Sequence, residues 1–394
     1  MEEASKAGSL LTAVAGNYDV AKKELSSEAQ LLVDNALGEI PGGAYRDHHA
    51  HIIGVGAGGT GCYLNKKMFQ WWHPFMQLKY EVLANVSGMT DKNKADQQYV
   101  ERLAALAHKF PSPGKIYILA MAEHFSKKGQ AKKSKTQLHV PNNYILQVAR
   151  QHKDLFVPVG SVHPYQPGAL EELDRCAESG CRIIKWLPNE MGMDPSSQLC
   201  IPFYRKMQQH KMILLAHTGK EEALHTTGYQ IYGNPLLLRP ALDTGVKVIM
   251  AHCAGLGVNL DLDNKNKPIK TFNLFLRLME KEEYKGLLFG DIAAMLQINR
   301  SGAALKHLLM RTDLHPRLLQ GSDYPLPAIN FNISLAILQQ RGYISKDERK
   351  PLKEIYKYNP LLFDAVCKRT LQHPEYKTRF PVSVFMKNPL IEPE

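Results

Sequence analysis

Eight short apolar, β-branched runs bounded by turn residues constrain this chain more than any other feature. They cover residues 45–53, 115–121, 155–162, 181–187, 212–216, 247–251, 286–291 and 317–321, and their lengths suit strands. Segments of helical period lie between most of them, including 167–179, 198–210, 235–243 and 303–311. From the third run onward the starts recur roughly every 30 to 40 residues. Strand and helix alternating at that spacing predict a parallel sheet, and eight units predict a closed (β/α)8 barrel of the α/β class. Runs such as "IYILAM" and "KVIMAH" lack polar alternation, as expected of strands buried on both faces.

The gap between the first two runs is too long for one crossover. Residues 62–114 hold Phe69, Trp71, Trp72, Phe75 and Tyr80, then a helical pattern over 95–110. They are expected to form an insertion after the first strand, packed over the barrel mouth. Residues 1–44 form an N-terminal extension with a helix at 27–37, stopped by Gly38 and the Pro41-Gly42-Gly43 break. The barrel unit spans 45–369. Near its end, Ser345 and Glu348 are spaced as a capping box, and a further helix covers 361–369. The C-terminal tail, 370–394, is expected to wrap the surface.

Composition excludes several classes. The 394 residues are 44% hydrophobic and 22% charged, and no apolar run approaches the roughly 18 residues of a membrane helix. The net charge of +11 raises a nucleic-acid reading. However, the one dense basic cluster, Lys127 to Lys135, has no interleaved aromatics. It reads as a solvated loop, with a rim that attracts anionic substrate as the alternative. Six cysteines show no C-x-x-C pair or framework spacing, and Met1-Glu2-Glu3 opposes a secretory signal. Reduced thiols, a cytoplasmic location, and no nucleic-acid or membrane partner are expected.

Chemistry-bearing residues collect at the ends of the runs, where a TIM barrel carries its catalytic groups. The first ends in His49 and His51, which period-two alternation places on one face, with His48 on the other. The fourth carries Lys185, the fifth His217, the sixth His252 and the eighth Asp323. Taken singly, each is as well explained by packing, solvation or a turn. Taken together, imidazoles and one carboxylate at successive strand ends suit zinc, with manganese as the alternative; calcium or magnesium would demand more oxygen. Weaker substrate-binding candidates on strand-end loops are Trp186, His124, Asp291 and Arg300, with His163, Asn189, Lys220 and His225 beside them. Gly56-Ala-Gly58-Gly59-Thr-Gly61 matches G-x-G-x-x-G, but the run before it is Asp-His-His-Ala-His, not the apolar strand a dinucleotide loop needs. What remains is a flexible loop, a lid, or a cradle of backbone N–H groups for an anion.

These stretches resemble the amidohydrolase superfamily, most closely the branch that includes aminocarboxymuconate-semialdehyde decarboxylase. The matching segments are Asp47-His-His49-Ala-His51, "GCRIIKWLP", "LLAHTG", "VIMAHCAG", "GSDYP" and "YNPLLFDAV". The resemblance implies a metal shell of His49, His51, His217 and Asp323, holding one divalent ion or two. It leaves His252 either hydrogen-bonding the water or binding a second ion, and puts Lys185 where binuclear members carry a bridging carbamate. Asp323 and His252 are then the catalytic residues, Asp323 as general base. The implied activity is hydrolysis of an amide, ester or lactone of a small, carboxylated, anionic substrate. Nonoxidative decarboxylation is the alternative, a metal-binding barrel without catalysis the third reading, and a homodimer the expected assembly.

Overall fold

The computed structural model describes residues 24–70, 72–223 and 228–392. All eight runs form strands: β1 (Arg46–His51), β2 (Lys115–Leu119), β3 (Phe156–Val159), β4 (Ile183–Trp186), β5 (Ile213–His217), β6 (Lys247–Ala251), β7 (Leu288–Asp291) and β8 (Leu318–Leu319). Parallel pairing joins β1 to β2 to β3, and separately β4 through β8 in sequence. Single bridges close the two gaps. Gly160 N donates to Ile183 O and Lys185 N to Gly160 O between β3 and β4, while His48 N reaches Gln320 O and Asp323 N reaches His49 O between β8 and β1. The strands therefore form a closed (β/α)8 barrel, in which every edge is paired.

Period-two alternation decides what fills it. Leu119, Val159, Ile183, Leu215, Ile249, Phe289 and Leu319 form one buried interior cluster. Their strand neighbours Ile184, Leu214, Val248, Leu288 and Leu318 pack outward into the larger core beneath the helices. One step further along each inward-facing set lie Lys185, His217 and Asp291, at the carboxyl ends. The site residues are thus the top layer of the barrel filling.

The extensions form as local rules predict. Ser26 caps the helix Ser27–Leu37, its Oγ accepting from Ala29 N, and Gly38 ends it. Ser345 and Glu348 make both bonds of a capping box on the helix Lys346–Tyr358. Asn359 caps the helix Pro360–Thr370 by accepting from Leu361 and Leu362 N, while its Nδ2 donates to Leu106 O of the insertion. The tail differs from a surface wrap. Ile391 joins the interior cluster at the barrel floor, Val384 O accepts from Gln320 N, and Glu392 pairs with Arg46 and His48. The tail closes the bottom of the barrel because the β1 and β8 ends leave buried donors there to be met. A hairpin of Val258–Asp261 against Lys267–Lys270 was not expected from the sequence.

The insertion comprises the strand Tyr63–Leu64, which pairs antiparallel with Leu138–His139 from the segment after β2, and the helices Pro74–Val86 and Ala95–His108. It explains the glycines. Val55 N, Gly56 N and Ala57 N all donate to the Asp96 carboxylate, and Thr60 Oγ1 donates at 2.5 Å. The backbone donors that suggested an anion cradle are satisfied by an anion within the chain, so the loop is a clasp holding the insertion to β1. Gly54 is required there, because a Cβ would lie 2.4 Å from Asp96 Oδ2. No helix starts at Gly61; the next element is the short strand Tyr63–Leu64. Asp96→Ala is expected to cost about 1–3 kcal/mol, the range for leaving polar groups without their partner, since it strands four half-buried donors. A denaturation midpoint unchanged from wild type would contradict this.

All six cysteines are buried and none is paired. Among the described residues no helix is long and apolar enough to cross a membrane.

Candidate metal centre

The centre is built on His49. Its Nδ1 lies 2.8 Å from Asp291 Oδ2, and both side chains are fully buried. A carboxylate only accepts, so the ring proton sits on Nδ1 and the Nε2 lone pair faces the barrel axis. His252 repeats the device with a carbonyl, its Nδ1 lying 3.1 Å from Ala293 O, which again leaves Nε2 free. Asp291 Oδ1 meanwhile accepts from His252 N and Ala293 N, so one carboxylate positions both imidazoles. One donor atom each from His49, His252 and Asp323 lies within 4.8 Å of the others.

His51 Nε2 is 3.2 Å from Asp323 Oδ1. The His217 ring packs edge-on against His252, and its buried Nε2, 3.4 Å from Glu221 Oε2, makes no hydrogen bond among the described residues. Lys185 Nζ lies 3.0 Å from His49 Nε2. Two of these residues take unusual backbone: φ is +58° at His252 and +61° at Asp323, a left-handed conformation that costs a non-glycine residue of order 1–3 kcal/mol and clusters at functional sites.

Electrostatics match the donor role. Burial, with the charges of Lys185 or Arg300 next, holds His49, His217 and His252 well below the usual imidazole range, and they are neutral ligand-competent rings. Burial pushes the Asp323 carboxyl up, but the His51 hydrogen bond, the neighbouring imidazoles of His49 and His51 and the Lys185 ammonium outweigh it and hold it at about 2. Burial lowers the Lys185 amine to about 8 against the pull of Asp291, Asp323 and Glu221. A buried set of neutral imidazoles and an ionised carboxylate, with an unbonded Nε2 beside it, fits a divalent cation.

This set forms the base of a cavity of about 710 Å³, lined by His51, His217, His252, Lys185 and Asp323 below and by the insertion above. Arg300, from the segment after β7, also lines it; the side chain is buried and its Nε and Nη1 have no hydrogen-bond partner among the described residues.

Several expected contacts fall elsewhere. Trp186 is no substrate contact: Lys185 faces inward, so its neighbour faces outward, where Trp186 is fully buried against Phe203 and Tyr204 and donates to Val162 O. His124 is also off the cavity. Its Nδ1 donates to Glu190 O, and its ring fills the space over Gly192, where a Cβ would be 2.0 Å away. Asp291 lies behind His49, and orients ligands instead of meeting substrate. His163 is satisfied by Met191 O and Tyr165 N, and Asn189 donates toward Gly219 O and Gln230. Lys220 is exposed and paired with Glu222; His225 lies outside the described residues. His48 does not face away from the barrel: β1 shifts register between Asp47 and Ala50, and His48 turns to the floor to stack on Tyr117. Lys127, Lys128, Lys133 and Lys135 are exposed and line no part of this cavity. Glu221, buried beside His217, was missed. Its only signal was an acidic residue four positions past a strand-ending histidine.

The amidohydrolase family pattern matches residues 47–273, more than half of the chain, and the chain belongs to that family. It is accordingly an enzyme of the amidohydrolase superfamily. Solved structures of similar chain course include an uncharacterised TIM-barrel protein from Bordetella bronchiseptica (14% identity, 79% of this chain and 98% of that chain, TM-score 0.47). Others are a probable 2-pyrone-4,6-dicarboxylic acid hydrolase from Acinetobacter baumannii (11%, 72% and 84%, 0.42) and a 5-carboxyvanillate decarboxylase from Novosphingobium aromaticivorans with bound manganese (12%, 82% and 95%, 0.45). No curated protein matches the chain.

Proposed function

We propose that this enzyme is a metal-dependent hydrolase acting on an amide, ester or lactone of a carboxylated substrate. The observation that carries the reading is the convergence of His49 and His252, each with its Nε2 lone pair freed by a bonded Nδ1, on the ionised Asp323 at the base of a cavity. A divalent ion, zinc by its donors or manganese, would supply a coordinated water acidified from about 15.7 toward about 7 and polarise the acyl oxygen. His49, His252 and Asp323 would hold it, with His51 and His217 beside them.

The chain's own residues then do the following. Asp323 accepts a proton from the attacking water and returns it to the leaving group. His51, hydrogen-bonded to Asp323, keeps that carboxylate ionised and aimed. Arg300 holds the substrate carboxylate, since a buried cation with free donors demands an anionic partner. Loss of carbon dioxide from a carboxylate held by Arg300 is the second reading, favoured by the same free guanidinium. In either case the partner is a small anionic molecule.

Purified protein is expected to hold about one or two equivalents of zinc or manganese, and His49→Ala to lose at least tenfold in metal affinity. Metal-free wild type, or unchanged affinity in His49→Ala, overturns the reading. Products from a panel of carboxylated amides, esters and lactones separate the two reactions: acid plus amine or alcohol supports hydrolysis, and carbon dioxide overturns it in favour of decarboxylation.

A further inference from the structure

The cavity above the metal set is apolar in a way that a small carboxylate does not explain. Phe75, Leu78 and Val82 stand at i, i+3 and i+7 on the helix Pro74–Val86, one face of that helix, and all three line the cavity. This face is turned to open space: Phe75 is 83% exposed and Leu78 43%. Across the mouth, Ile298 and Phe331 from the segments after β7 and β8 line the opposite wall, Phe331 at 63% exposure. Lys79 Nζ, on the same helix, donates to Ala223 O beyond β5 and ties this wall over the mouth. Soluble proteins leave contiguous apolar surface open chiefly where something binds, and about 710 Å³ falls within the roughly 300–1,000 Å³ of sites that enclose ligands. Below these walls, among the buried residues that line the cavity, Arg300 offers Nε and Nη1 that have no hydrogen-bond partner among the described residues.

We infer that the substrate is an amphiphile, an acyl amide with an anionic group close to the scissile bond and an aliphatic body of about eight or more carbons. Resting on the hydrolase reading, the geometry places the anion at Arg300, the acyl carbon over the His49, His252 and Asp323 set, and the chain between the insertion wall and Phe331. In the reaction the water oxygen bonds to the acyl carbon and the acyl–nitrogen bond breaks. One water proton passes through Asp323 to the departing nitrogen, giving a long-chain carboxylic acid and an amine, and the acid's remaining proton then passes to the amine to leave carboxylate and ammonium.

The test uses the metal-loaded full chain and reads binding apart from turnover. Calorimetry with butanoate, octanoate and octanamide is followed by hydrolysis of N-acetylglycine and N-octanoylglycine. Octanoate is expected to bind about 10²-fold more tightly than butanoate, from a gain of roughly fourfold per methylene buried. Phe75→Asp and Leu78→Asp, at exposed positions where folding does not depend on them, are expected to cut that ratio at least tenfold. Arg300→Gln should weaken octanoate by about tenfold or more without weakening octanamide. Equal affinities for butanoate and octanoate overturn the inference whatever the enzyme catalyses, and unchanged octanoate binding in Arg300→Gln overturns the role of Arg300. Chain-length-dependent binding without glycine release from N-octanoylglycine overturns the hydrolase reading while supporting the amphiphilic chamber.

Discussion

Asp323→Asn is expected to lower turnover by about 10²- to 10⁴-fold, the range supplied by a positioned general base. The substitution keeps shape and removes only the charge and the proton-accepting capacity. The backbone at this position is held independently of the side chain, since Asp323 N donates to His49 O at 2.7 Å and Leu326 N to Asp323 O at 3.0 Å. The left-handed φ of +61° is also tolerated by asparagine, which visits that region more readily than most residues. Folding is therefore expected to survive, and the loss to appear in kcat more than in KM. A variant with turnover within threefold of wild type would remove Asp323 from the chemistry. One with lost turnover but an altered thermal transition would instead point to a collapsed strand end. A circular dichroism melt beside the kinetics separates the two.

The fold was legible because its signal is repeated. Most of the strands are buried on both faces, so "KVIMAH" and its fellows stand out as apolar runs, and eight runs between helices leave few architectures open. The strand-end histidines were legible for the same reason, since a polar residue closing an apolar run is conspicuous. What the sequence concealed depends on direction and partnership. Trp186 and Lys185 are adjacent, and only the register of β4 tells which faces the axis. The register shift in β1 sends His48 to the floor against simple alternation. The glycines of 54–61 look like a ligand loop because their partner, Asp96, lies some 40 residues on, with no local mark of the pairing. The tail reads as surface because its buried residues, among them Leu371, Phe380, Val384, Phe385 and Ile391, are scattered among prolines and charges. The hairpin at 258–270 was hidden by exposed, lysine-rich strands with little apolar pattern. Glu221 sits on a loop, where a charge is ordinary until burial makes it costly.

The second large effect concerns a residue that touches neither water nor substrate. Asp291→Asn is expected to lower metal affinity about 10- to 100-fold, the usual cost of losing a carboxylate behind a ligating histidine. Asp291 Oδ2 takes the proton-bearing Nδ1 of His49, and Oδ1 takes the N–H of His252 and Ala293. An asparagine has one oxygen to serve both sides. Turned toward the backbone donors, it presents its amide to His49 Nδ1, which must then accept and carry the ring proton on Nε2. The lone pair that faced the cavity is lost to the wrong tautomer. Turned the other way, it keeps the His49 tautomer but sets an N–H against the N–H of His252 and displaces that second imidazole. Either orientation removes one of the two rings from the converging set, so the deficit persists at saturating substrate and is recovered only by raising the metal concentration. Titration of the metal-stripped variant with zinc or manganese reads this directly. Affinity equal to wild type would show that Asp291 serves packing alone.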